Sequence, residues 1–115
     1  MEPMPSDSPT IFERIVAREI PADIVFESDR VIAFRDIAPQ APVHILVVPK
    51  TAEYANVTEL AAGDPGLLAE IVATAEQLAE GDFRLVFNTG EGAGQTVFHV
   101  HAHVLAGGLA EGSLA

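Results

Sequence analysis

Apolar residues fall into short runs along this 115-residue chain, and their spacing decides what each run can become. In "TIFERIVARE", Ile11, Phe12, Ile15 and Val16 recur at helical spacing, and Thr10 precedes Glu13 by the three residues of a capping box. The pattern predicts a short helix near 10–18, stopped by Pro21. "DIVFESDRVIAFRD" holds two apolar runs around Ser28 and Asp29, and predicts a hairpin with strands near 23–27 and 30–35. Two prolines make "IAPQAP" a loop. The β-branched run "VHILVVPK" predicts a strand near 43–48, on which His44, Leu46 and Val48 share one face. "TAEYANVTEL" reads as a loop followed by a turn.

"DPGLLAEIVATAEQLAEG" carries the clearest helical period. Asp64 suits the cap, Pro65 the first turn and Gly81 the end, and Leu67, Leu68, Ile71, Val72, Ala75 and Leu78 form a buried stripe over a helix at 65–80. "FRLVFN" predicts a strand near 83–88, "TGEGAG" a glycine-rich loop and "TVFHVHAHVL" a long strand. One helix, three strands, one helix and two strands follow in order. That segregation favours a single α+β domain with an antiparallel sheet over alternating βαβ units. The domain is expected over 10–108, between a flexible, proline-rich arm at 1–9 and a tail at 109–115.

Composition narrows the partners. The hydrophobic content of 49% suffices for a core. The net charge is -11, and the six basic residues form no stripe, which argues against a polynucleotide partner. A small phosphate remains possible, held by backbone amides and imidazoles. Without cysteine there are no disulfides and no thiolate chemistry. No run has the length of a spanning helix and no signal-peptide pattern stands at the start, so the expectation is a cytoplasmic protein with no membrane partner.

Three of the four histidines occupy alternate positions, His99, His101 and His103. Random placement would do this in roughly two of a thousand orders, so the pattern asks for a use. On a strand the three rings would share one face, with Phe98, Val100, Ala102 and Val104 turned into a core. Two chemistries fit. Adjacent imidazoles can converge on zinc, but same-face residues lie roughly 6.6–7 Å apart along a strand, so a third ligand would come from His44 or a carboxylate. Alternatively, a neutral imidazole attacks phosphorus while a neighbour stabilises charge and protonates the leaving group. The loop "NTGEGAGQT" favours the second, since Gly90, Gly92 and Gly94 leave backbone amides approachable by an anion. Asn88 suits orienting a phosphate or a histidine, and Thr96 offers a hydroxyl to a leaving group.

"HVHAHVL", residues 99–105, matches the histidine triad signature at all seven positions: three histidines, each followed by an apolar residue, and one more apolar residue at the end. The chain resembles the histidine triad superfamily, and within it the histidine triad nucleotide-binding proteins. The likeness extends through "DIAPQAPVH" and "GQTVFHVH" and over most of residues 11–108. It implies an α+β domain with an antiparallel sheet of about five strands, extended by homodimerisation. It further implies that His101 attacks an α-phosphate to form a nucleotidyl-histidine. His103 would contact the phosphate and help the leaving group depart, His99 would order the cluster, and His44 would be the fourth histidine beside it. Nucleotide contacts carry over to Asp36, Ile37, Asn88, Gly94, Gln95 and Thr96, with Phe34 and Ile37 against the base or ribose. Thr96 stands where that branch commonly has serine. Thr51 and Ala52 follow "VVPK" where many members have a basic residue and histidine, so no zinc site is expected there.

The resulting expectation is a homodimeric hydrolase that binds a purine nucleotide of AMP type and needs no metal or cofactor. It would cleave purine nucleoside phosphoramidates or related adenylates. Cleavage of dinucleoside polyphosphates, and nucleotide or partner binding with incidental hydrolysis, are the competing expectations.

Overall fold

Each helix starts where a side chain satisfies its free amides. The computed structural model describes residues 9–109. Apart from Pro9 and Leu109, the arm expected over 1–9 and the tail expected over 109–115 lie outside the described residues. Thr10 caps the first helix, α1 (Ile11–Val16), and both halves of the capping box are present. The Glu13 amide donates to Thr10 Oγ1 at 3.2 Å, and the Thr10 amide donates to Glu13 Oε1 at 2.9 Å. The helix ends earlier than expected, and Pro21 is not what ends it. Arg18 adopts a left-handed φ of 62°, and the amide of Glu19 turns back to the Arg14 carbonyl.

Among the described residues, five strands follow the expected order: β1 (Ile24–Glu27), β2 (Val31–Arg35), β3 (Val43–Pro49), β4 (Arg84–Val86) and β5 (Ala102–Ala106). They form one antiparallel sheet in the order β1-β2-β3-β5-β4. Alternation along the strands gives the sheet two faces. Val31, Ala33, Ile45, Val47, Ala102 and Val104 point to one face, and Ile32, Phe34, Leu46 and Val48 to the other.

The first face is closed by two helices, so the described residues form three α-helices where the apolar pattern predicted two. The additional one, α2 (Val57–Gly63), lies in the segment read as loop and turn. Asn56 caps it by accepting from the Glu59 amide at 3.0 Å, and Glu59 Oε1 accepts from the Ala55 amide. Leu60, fully buried, is its anchor; two turns with one deep apolar contact leave too little periodicity to read. Asp64 closes α2 and caps α3 (Pro65–Ala79), whose Leu67, Ile71 and Ala75 pack on the sheet. The reversal after α3 begins at Glu80, at φ 54°, one residue before Gly81. Fully burying a side chain such as Ile71 contributes about 1.5–3 kcal/mol.

The long final strand is also corrected. Pairing between β3 and β5 ends at Val47 opposite Ala102, and the chain bends over residues 97–99 before β5 begins. The amide of Val100 goes instead to the Tyr54 carbonyl, at 2.9 Å. Val100, Ala102 and Val104 are buried as expected, but Phe98 is half exposed, because the bend breaks the alternation before it. Among the described residues, no helix is long and apolar enough to cross a membrane.

Candidate active site

Beside α1, the second face of the sheet carries histidine as well as aliphatic side chains. Leu46 of β3 lies opposite His103 of β5, and His44 lies opposite Leu105. The four histidines therefore gather from three pieces of chain: β3, β5 and the bent segment between the glycine loop and β5. His101 and His103 have ring centroids 5.1 Å apart, and His44 and His103 5.2 Å apart. Phe12 of α1 is set edgewise against His101 at 4.8 Å and against His99 at 5.9 Å. The three triad rings do not stand in one row along a regular strand; only His103 belongs to β5.

The hydrogen-bond partners decide where each proton sits. A carbonyl oxygen only accepts, and a backbone amide only donates. His99 is fully buried, and its Nε2 meets the Pro49 carbonyl at 2.8 Å, so Nε2 carries the proton. His101 Nδ1 meets the His99 carbonyl at 2.9 Å, so the His101 proton is on Nδ1 and the lone pair is on Nε2. The Gln40 amide donates to His44 Nδ1 at 3.0 Å, which leaves the His44 proton on Nε2. That proton is donated to His103 Nδ1 at 3.0 Å, and Asp36 Oδ2 lies 3.5 Å from His44 Nε2. His103 in turn must carry its own proton on Nε2. Among the described residues, Nε2 of His101 and Nε2 of His103 have no hydrogen-bond partner. One is a lone pair and the other an N–H, on neighbouring rings.

Burial disfavours the charged forms of the three triad rings. Desolvation lowers the His99 and His101 pKa values, with hydrogen bonds to the Pro49 and His99 carbonyls opposing it respectively. His103 is lowered to about 4, first by burial and then by repulsion from His101 and His44, with Asp36 acting against them.

The remaining residues singled out in the sequence are placed unevenly around this cluster. Asp36 ends the β2 side of a loop closed by its own amide on the His44 carbonyl, and its Oδ1 accepts from the Ala38 amide at 2.8 Å. Ile37 is 97% exposed, whereas Phe34 is buried against Phe12, with ring centroids 5.7 Å apart. Asn88 is half-buried after β4, and Gly94 and Thr96 are exposed. Gln95 is buried, and its amide is used inside the protein: Oε1 accepts from the Gly90 amide, and Nε2 donates to the carbonyls of Ala55 and Val97. Of the three glycine amides expected to face an anion, Gly90 is thus occupied, and Gly94 donates to the Glu91 carbonyl.

Sequence reasoning missed Phe12, Thr10, the Pro49 carbonyl and the Gln40 amide as neighbours of the histidines. Thr10 was visible only as a helix cap, and nothing in the spacing of residues 10 and 99 announces their contact. Asp36, His44 and His103 offer two imidazole nitrogens and a carboxylate, all within 4.8 Å of one another. Such a set suits zinc, but a metal there would have to displace the proton that His44 donates to His103.

Comparison with known proteins points in one direction. The HIT domain family matches residues 17–108. Adenylylsulfatase HINT1 of Arabidopsis thaliana is 48% identical over 112 residues, covering 90% of this chain and 74% of its own. Purine nucleoside phosphoramidase of Escherichia coli K12 is 45% identical over 107 residues, covering 85% and 87%. The crystal structure of a HIT family hydrolase from Legionella pneumophila superposes with a TM-score of 0.82 at 44% identity, covering 88% of this chain and 95% of that one.

Proposed function

The chain belongs to the HIT domain family, with named hydrolases among its relatives, and we propose that it hydrolyses purine nucleoside phosphoramidates or related adenylates at the α-phosphorus. The observation that carries this reading is the pair of open ring nitrogens, an acceptor on His101 beside a donor on His103. In the proposed first step, the Nε2 lone pair of His101 bonds to the α-phosphorus. The bond from phosphorus to the leaving nitrogen breaks, and His103 Nε2–H supplies the proton that makes it a neutral amine. A nucleotidyl-histidine remains. Water then attacks phosphorus, its proton passes to the emptied Nε2 of His103, and the phosphorus–His101 bond breaks to release the nucleoside monophosphate. Both rings end as they began.

The environment suits these roles. The His99 carbonyl holds the His101 proton on Nδ1 and stabilises the positive charge that develops as Nε2 bonds to phosphorus. His44 holds His103 in the tautomer that donates outward. Nucleotide contacts are proposed for Asp36, Ile37, Phe34, Asn88, Gly94 and Thr96. At Gln95 only the backbone is proposed to serve, since its side chain is engaged elsewhere. No step needs a metal. Homodimerisation belongs to the same proposal; β4 is the terminal strand of the sheet, a position at which a second sheet would join.

The test is AMP release from adenosine 5′-phosphoramidate, compared with cleavage of a diadenosine polyphosphate. A higher kcat/KM for the phosphoramidate is expected. Preference for the polyphosphate, or negligible turnover of both with tight AMP binding, refutes the substrate assignment.

A further inference from the structure

His99 carries no proposed chemistry of its own, yet it is the most enclosed of the four histidines, with no exposed surface. It sits in the bent stretch that lost its place in the sheet, so no strand ladder fixes its backbone. Its carbonyl is nevertheless the acceptor that sets the His101 tautomer. Something else has to hold that carbonyl in place, and the ring of His99 is the part tied down. One end of the ring donates to the Pro49 carbonyl at the end of β3. The other end, Nδ1, lies 3.3 Å from Thr10 Oγ1, across 89 residues of sequence.

With its proton on Nε2, a neutral His99 presents a lone pair at Nδ1, and a buried lone pair needs a donor. Thr10 is placed to serve twice. Its oxygen accepts the Glu13 amide, which starts α1, and its hydroxyl hydrogen is free to go to His99. Two residues further on, Phe12 presses on both His99 and His101. The first turn of α1 therefore touches the cluster at two points, one polar and one apolar.

We infer that Thr10 is a positioning residue for the histidine cluster: its hydroxyl, donated to His99 Nδ1, completes the second of two hydrogen bonds that anchor the His99 ring, the first being to Pro49, and so holds the His99 carbonyl against His101. The inference rests on the proposed role of His101 for its kinetic consequence, but not for its structural one. The capping and positioning roles separate by substitution. Thr10→Asp keeps an N-cap acceptor and cannot donate a hydrogen bond. Thr10→Ser keeps both functions. Thr10→Val keeps the shape and loses both.

The experiment uses the full chain labelled with 15N-histidine, with long-range proton–nitrogen NMR to read each ring's tautomer, beside melting and steady-state kinetics on adenosine 5′-phosphoramidate. In the wild type, His99 is expected as the Nε2–H form and His101 as the Nδ1–H form. In Thr10→Asp the melting temperature should hold while His99, now facing an acceptor at each end, keeps Nε2–H on Pro49 and gains a second proton at Nδ1. In that variant kcat should fall about 10-fold with little change in KM, because the nucleophile is misplaced and binding is not. Thr10→Ser should restore the wild-type tautomer and recover kcat to within about twofold. Thr10→Val, the second variant if the aspartate fails to fold, should keep Nε2–H but shift the His99 Nδ1 resonance to that of an unbonded acceptor nitrogen, with a similar loss of kcat. Unchanged His99 Nδ1 signals in both Thr10→Asp and Thr10→Val overturn the inference, as does a Thr10→Ser variant as impaired as Thr10→Val. If the wild type does not turn over phosphoramidate, the functional reading fails, and the NMR result still decides the role of Thr10.

Discussion

The two faces of the sheet solve the same burial problem with different materials. Under α2 and α3, Leu60, Leu67, Ile71 and Ala75 meet Val31, Ala33, Val47 and Val104, and no polar group needs a partner among them. Under α1, two aliphatic residues of β3, Leu46 and Val48, share their face with His44. On that side each buried nitrogen has to be matched with a named donor or acceptor. The matching is complete among the described residues, where no buried side-chain polar atom lacks a partner. The first face asks for apolar side chains of the right volume. On the second, directionality is what leaves one lone pair and one N–H facing outward.

Substitutions that act on one face only would sharpen this contrast. The largest effect is expected for His101→Ala, which should lower kcat/KM by about a thousandfold or more while AMP still binds and the melting temperature holds. Kinetics beside calorimetric titration check it, and near-normal turnover breaks the division. On the other face, Ile71→Ala should cost about 2–5 kcal/mol in urea unfolding, since it opens a cavity in a fully buried site. The activity per folded molecule should be retained.

A pH series tests the second face as a whole. His103 titrates near 4 when folded, below the ordinary imidazole value of 6.5, and His99 and His101 are lowered too. Between those two pH values the unfolded chain binds protons that the native cluster refuses, so stability should fall as pH drops from 6.5 toward 4. Urea midpoints across that range measure it, and His103→Gln should flatten the dependence. A midpoint that rises on acidification would mean that the cluster is charged in the native state. The smallest effect is expected at Ile37, 97% exposed. Ile37→Ala should leave stability within about 0.5 kcal/mol, whereas KM for the nucleotide should rise about fivefold through lost apolar contact. Fluorescence melts and initial rates check both.

The first face was the more legible in sequence. The stripe of α3 apart from the exposed Val72, the apolar runs of β2 and β3, and the cap at Asp64 are local signals, and local signals survive folding when nothing opposes them. α2 escaped because its stability lies in an Asn56 cap and one buried leucine, too little for a period. The second face was legible in composition but not in geometry. Alternate histidines pointed to a site. The straight strand drawn through them failed at residues 97–99, where the chain leaves the sheet and lodges the His99 ring between Thr10 and Pro49. Those contacts join residues 50 and 89 positions apart, and no spacing rule reaches that far.

Rapid quenching of the protein with adenosine 5′-phosphoramidate, followed by fragmentation mass spectrometry, reads the nucleophile directly. An AMP adduct on His101, absent from His101→Ala, is the expected result. An adduct on His103 or His99, or product formed in full while no histidine is ever modified, contradicts it.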